Sequence, residues 1–255
     1  MLLLHGLTGS PWDLEPLAVA LAAEGRRVSV PRLMGHASLE ELDGVHWWGW
    51  YRSAEQALWR LFDGPARADS GTDSRTGTRA SVLGFSMGSL LALRLAAHYP
   101  RSLASLVTLG VPFELPRWKI AAARTLANLR RQHPELARLI GHHRKGRIDA
   151  RSQAVAEGGP SMPAIPYSSV VELAALQAEV RAILDRVRAP LLLLHGRYDH
   201  AAPAWGSARV SQRVSSAYVQ RVELPNSCHN LARDLDRDGV REHVLTFIRR
   251  HHRVD

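Results

Sequence analysis

Short apolar runs alternate with amphipathic stretches along most of the chain. Residues 2–4 are three leucines that end at His5-Gly6, the pattern of a buried parallel strand feeding a turn. Over 11–25, Trp12, Leu14, Leu17, Leu21 and Ala22 fall on one side of a helix that Gly25 stops. The same reading predicts strands at 28–31, 80–83, 103–109, 191–194 and 217–224, and helices at about 45–62, 89–98 and 237–252. The stretch 64–79 offers a core almost nothing and reads as a mobile surface loop. Strands alternating with helices imply an α/β class with a mostly parallel, doubly wound sheet, because parallel strands need long crossovers. Between Pro112 and Pro190 the alternation lapses, and helices at roughly 115–145 and 168–187 flank a Gly/Pro-rich stretch at 157–166. No internal repeat is visible.

At 255 residues, 45% hydrophobic and 22% charged, the chain fits one soluble domain that buries a core without disulfide or metal staples. Its single cysteine, Cys228, excludes an internal disulfide and any multi-cysteine metal site, and suits a reducing compartment. No apolar run reaches the ~20 residues of a membrane span, and no signal-peptide pattern opens the chain. A cytoplasmic protein is therefore expected. The net charge of +9 raises the question of nucleic acid. The basic residues are nearly all arginine and are scattered, with no basic run interleaved with aromatics. They read as a solvated surface, and no nucleic-acid partner is expected.

Open α/β sheets bind ligands beyond the carboxyl ends of their strands, and the suggestive motifs all fall there. Gly84-Phe85-Ser86-Met87-Gly88 is a G-x-S-x-G pentapeptide between a predicted strand and a predicted helix. A serine in such a turn is held with its hydroxyl exposed above the sheet. The helix that follows aims unpaired N–H groups at any anion formed there. A serine hydroxyl needs a base, and the base needs an orienting carboxylate. His229 follows the last predicted strand and, among the thirteen histidines, is the one in a loop at that end without a periodic role. Asp199 follows the preceding strand, and the order Ser86, Asp199, His229 suits this fold. Asp234 and Asp236 compete, but they follow His229 and read as the start of the terminal helix. The backbone N–H groups of Met87 and Leu7 are the candidate oxyanion donors. His5 reads either as a second base or, preferred here, as a brace for the first loop.

His5-Gly6-Leu7-Thr8-Gly9, Gly-Phe-Ser-Met-Gly, Gly-Arg-Tyr-Asp-His-Ala-Ala-Pro at 196–203 and Ser227-Cys228-His229 resemble the α/β-hydrolase superfamily. Gly35-His36, Glu40-Glu41-Leu42 and Trp47-Trp48 make the chain most similar to small bacterial carboxylesterases and monoacylglycerol lipases. The resemblance implies an α/β-hydrolase core at 1–112 and 190–255 with a helical lid at 113–189, inserted before the last strands. It also implies a serine hydrolase that cleaves carboxylic esters of short- to medium-chain acyl groups through an acyl-enzyme, without metal or cofactor. The expected partner is a small ester with a lipophilic acyl chain, and the expected state a monomer or homodimer.

A thioesterase or acyltransferase would share the apparatus, and a catalytically silent ligand-binding protein of the same fold is the rival from another class. The apolar stripes of the lid (Leu126, Leu129, Leu136, Leu139, Ile140; Val170, Leu173, Leu176, Val180) suit substrate contact and core packing equally. Two departures stand out. Relatives usually carry Gly where this chain has Cys228, which suggests a strained loop, a thiol close to Ser86 or, preferred here, a buried inert thiol. Relatives also have residues and an edge strand before the first loop, whereas this chain begins inside that strand, so a misassigned start or a shortened sheet edge is expected.

Overall fold

The computed structural model describes residues 1–62, 79–136 and 140–252; the loop expected at 64–79 lies outside the described residues apart from Arg79. Five parallel strands form the central sheet: β1 (Leu2–Leu4), β2 (Ala80–Phe85), β3 (Leu103–Leu109), β6 (Leu191–Gly196) and β7 (Val219–Leu224), in the order β1-β2-β3-β6-β7. Two short strands, β4 (His143–Arg144) and β5 (Ala164–Ile165), pair antiparallel in the inserted segment.

Alternate strand residues feed two separate cores, as the period of two requires. Leu2, Leu4, Val82, Leu106, Leu191 and Leu193 join one apolar cluster. It is completed by α3 (Trp47–Phe62), α4 (Met87–His98) and α7 (Tyr167–Ala182). Leu3, Leu83, Val107, Leu109, Leu192 and Leu194 join the other, under α1 (Glu15–Ala23) and α9 (Arg237–His251). The sheet is thus doubly wound, with both faces covered. The remaining described helices are α2 (Leu39–Leu42), α5 (Arg117–Gln132), α6 (Gln153–Gly158) and α8 (Trp205–Ser211).

Several expectations need correction. Residues 28–31 form no strand; only Ser29 bridges Leu2, and the run ends at Pro31, which has no N–H to donate. The helix expected at 115–145 stops at Gln132, because Pro134 disfavours helical backbone at the residue before it. A 3-10 turn over Pro134–Leu136 and the extended β4 follow. Of the two readings left open for the second apolar stripe, core packing holds for Leu176 and Val180, which sit in the core against α4.

The register brings the functional ends together. Leu4 pairs with Gly84, Leu109 with both Phe85 and Leu194, and Gly196 with Leu224, so the loops leaving these strands share one edge. The chain leaves β1 toward Ser29 on one side and, after β2, proceeds to the other, which makes the end of β1 and β2 the switch point where a crevice opens. α4 crosses β1 very closely there: a Cβ on Gly88 would overlap the Leu4 carbonyl. Gly88→Ala is expected to destabilise the fold by about 3 kcal/mol or more, since backbone rather than a pliable side chain must move. Urea unfolding would measure it.

Candidate active site

The turn between β2 and α4 places Ser86 at φ 53°, ψ −121°, a left-handed conformation that is costly for a residue with a Cβ. The surroundings enforce it: Ser86 N–H donates to Leu109 O at 2.9 Å, and Ser86 O accepts from Ser89 N–H at 2.8 Å. The Ser89 hydroxyl ties the turn down by donating to Gly84 O at 2.8 Å. The serine opens into a cavity of about 640 Å³, also lined by Leu7, Lys145, Asp149 and His229. That volume is ordinary for a small-molecule site.

The loops after β6 and β7 bring Asp199 and His229 together. His229 Nδ1 lies 2.7 Å from Asp199 Oδ2, and the imidazole packs on the ring of Phe85, the residue before Ser86. No hydrogen bond joins the Ser86 hydroxyl to the imidazole; both groups line the same cavity, and such contacts commonly tighten when substrate arrives. Asp199 has an enclosed carboxylate that accepts three hydrogen bonds. The N–H groups of Ala201 (3.0 Å) and Ala202 (2.6 Å) reach Oδ1 and His229 Nδ1 reaches Oδ2, while His195 Nε2 stands within ion-pair range of Oδ2 at 3.2 Å. Burial by itself would raise the carboxyl pKa, but the imidazole of His229, the contact from His195 and the Ala202 N–H hold it well below the usual carboxylate range. Burial likewise disfavours charge on His229, yet the Asp199 carboxylate outweighs it and raises the imidazole pKa, with Asp149 adding to the effect.

The first loop stands beside the serine: a Cβ on Gly6 would lie 3.1 Å from Ser86 Cβ. Among the described residues, neither Leu7 N–H nor Met87 N–H hydrogen-bonds elsewhere, so both remain available to an oxygen bound over Ser86. His5 braces the loop. Its Nε2 accepts Leu33 N–H at 3.1 Å and its Nδ1 donates to Gly6 O at 2.9 Å, while burial and then the nearby His36 push its pKa down to about 3. It is a neutral strut.

Three contributions escaped the sequence reading, although Asp234 itself was weighed there as a rival to Asp199. His195, buried at the end of β6, donates from Nε2 to Ala202 O at 2.6 Å and so shapes the loop that cradles Asp199. Asp234 is fully buried; it accepts the N–H groups of Arg151 and Ser152 from the inserted segment and of Cys228 (2.7 Å), fastening that segment to the histidine loop. Lys145 reaches from the residue after β4 into the first loop. Its Nζ donates to Thr8 Oγ1 at 2.8 Å and to Ser161 Oγ at 2.6 Å. Thr8 has φ 60°, and its carbonyl accepts Met162 N–H at 3.1 Å. The inserted segment therefore grips a strained residue next to Leu7. Lys145→Met is expected to lower kcat about 10- to 100-fold, somewhat less than loss of a whole oxyanion donor; turnover of a chromogenic ester by the folded variant would measure it.

Cys228 is buried and lies outside the left-handed region, so the loop is not strained at this residue. The helical stripes, read as suiting substrate contact and core packing equally, do not line the cavity among the described residues; Ile165 and the 143–150 stretch do.

A parallel doubly wound sheet carrying a strained serine at a strand-to-helix turn, with a carboxylate–imidazole pair on the same edge, defines an α/β hydrolase. The chain belongs to the serine aminopeptidase S33 family, whose model matches residues 1–236. It is similar to a thermostable monoacylglycerol lipase of Bacillus sp. (strain H-257), 31% identical over 98% of this chain and 90% of that one. A carboxylesterase of Bacillus subtilis (strain 168) is 23% identical over 97% of this chain and 91% of its own. Among solved structures, one from the metagenome-derived lipolytic enzymes LipS and LipT superposes with a TM-score of 0.83 at 24% identity, covering 98% of this chain and 93% of that one.

Proposed function

We propose that the chain is a carboxylic ester hydrolase acting on short- to medium-chain acyl esters through an acyl-enzyme. The observation that carries this reading is the strained Ser86 opening into the same cavity as the imidazole that Asp199 holds by a 2.7 Å hydrogen bond. Ser86 attacks the ester carbonyl while His229 Nε2 takes its proton and returns it to the departing alcohol; water then repeats the sequence on the acyl-enzyme. Asp199 fixes the tautomer that leaves Nε2 unprotonated, and the Leu7 and Met87 N–H groups hold the oxyanion. The names of the two Bacillus relatives, a lipase and an esterase, support the substrate class. Residues 113–189 serve as the lid, their 143–150 stretch forming a wall of the cavity.

No described helix is long and apolar enough to cross a membrane. The single cysteine fits a cytoplasmic protein, and nothing in the chemistry requires more than a monomer or homodimer. The test is a panel of p-nitrophenyl esters of increasing acyl length beside monoacylglycerols and acyl thioesters, with labelling by a fluorophosphonate probe. Labelling at Ser86 and fastest turnover of short- to medium-chain oxygen esters are expected. An unlabelled protein would make the fold a silent ligand binder, and a preference for thioesters would replace the substrate class.

A further inference from the structure

Asp149, His200 and Cys228 meet at the mouth of the catalytic cavity, and the proposed chemistry uses none of them. Their ligand atoms lie within 4.8 Å of one another, and all three residues line the cavity. They come from the inserted segment, from the residue after Asp199 and from the residue before His229. We propose that these three side chains form a binding site for a soft divalent transition metal, with Zn²⁺ the ion that fits best, and that its occupation inhibits the hydrolase.

The donor set is the first argument. One thiolate sulfur, one imidazole nitrogen and one carboxylate oxygen suit Zn²⁺, at about 2.3 Å for sulfur and about 2.0–2.2 Å for the others, whereas Mg²⁺ and Ca²⁺ prefer oxygen throughout. Three protein ligands leave a fourth position for water. The orientation of the ligands is the second argument. Asp149 Oδ2 is already held by the N–H groups of His200 (2.9 Å) and Ala201 (3.2 Å), which leaves Oδ1 facing His200 Nδ1 at 3.0 Å. A metal there replaces the proton that Nδ1 and Oδ1 share. Behind the thiol, Cys228 N–H donates to Asp234, and behind the carboxylate, Asp149 O accepts Asn230 N–H at 3.0 Å. Outer contacts of this kind fix ligands in place.

Charge is the third argument. The carboxylate of Asp234, which accepts the Cys228 N–H at 2.7 Å, adds a second negative charge beside that of Asp149, and two carboxylates around one thiol favour a cation. Binding releases the thiol proton, and a second proton where His200 is protonated, so affinity rises with pH. Inhibition follows from position, and this part rests on the proposed hydrolase activity. The ion narrows the cavity mouth and ties together the loops that carry Asp199 and His229.

The test uses the full chain, first stripped of metal and then titrated with Zn²⁺ and Co²⁺. One ion per chain is expected, with Co²⁺ giving a near-ultraviolet thiolate-to-cobalt charge-transfer band. Ester turnover should fall in step with Zn²⁺ occupancy and recover with chelator, while Mg²⁺ has no effect. Cys228→Ser should abolish the band and weaken Zn²⁺ at least about 100-fold, the upper end of what losing even an outer partner costs. His200→Ala, at an exposed position that does not endanger folding, should weaken Zn²⁺ at least about 10-fold. Co²⁺ without a thiolate band, or variants that bind Zn²⁺ like the parent chain, would overturn the site. Full occupancy with unchanged turnover would overturn the inhibition. The spectral readout needs no ester turnover, so its failure is distinct from failure of the hydrolase reading.

Discussion

Ser86→Ala is expected to lower kcat for p-nitrophenyl butyrate by about 10⁶-fold, the order seen when a serine nucleophile is removed from a complete triad. Alanine keeps the Cβ, so it meets the same φ of 53° without new strain, and the side chain it shortens makes no hydrogen bond among the described residues. The variant should therefore unfold at nearly the same urea concentration as the parent. Residual turnover above water should survive, because the proposed oxyanion donors, the Leu7 and Met87 N–H groups, are untouched by the substitution. A folded Ser86→Ala protein working within tenfold of the parent would show that another group carries the reaction.

Asp199→Asn is expected to lower kcat by about 10⁴-fold, and the hydrogen bonds give the reason. The Oδ1 position accepts two backbone N–H groups, so the amide oxygen of Asn must take it. The amide NH₂ then occupies the Oδ2 position, where His229 Nδ1 presents its proton. Donor meets donor. His229 escapes by moving its proton to Nε2, which leaves no base facing Ser86. The pH profile supplies a second readout. The carboxylate raises the His229 pKa, so the acid limb of kcat/KM, where the base becomes protonated, should move to lower pH in the variant. An unchanged limb would separate Asp199 from the titrating group.

Much of the fold was legible because buried parallel strands read as unbroken apolar runs, as at Leu2–Leu4, Leu103–Leu109 and the leucines of Leu191–Gly196. Elements that lack such runs were misread or missed. Val28 and Val30 flank Ser29 in a strand-like alternation, yet Ser29 pairs through one bridge because Pro31 ends the run, and β4 and β5 are two residues each, too short for any period to register. The helix Trp205–Ser211 contains Gly206 and Ser207, weak helix formers that are stabilised by burial. At the site, Ser86, Asp199 and His229 were visible because local turn motifs mark strand ends. His195 was hidden as the tail of an apolar strand. Asp234 was read as a helix start, although its bonds reach back 82 and 83 residues. Lys145 and Asp149 sit in a stretch without periodicity, and their roles arise from contacts made 137 and 51 residues away.

The lysine that crosses from the inserted segment to Thr8 has an evolutionary corollary. Where a cap merely roofs a pocket, recombination can exchange it and change substrate preference alone. Here the proposed lid also grips the loop that carries the proposed oxyanion donor Leu7, so a transplanted cap without an equivalent amine is expected to bring its own selectivity and a slower enzyme. Specificity and rate are therefore expected to change together in cap chimeras of this chain, and the Lys145–Thr8 contact is the reason.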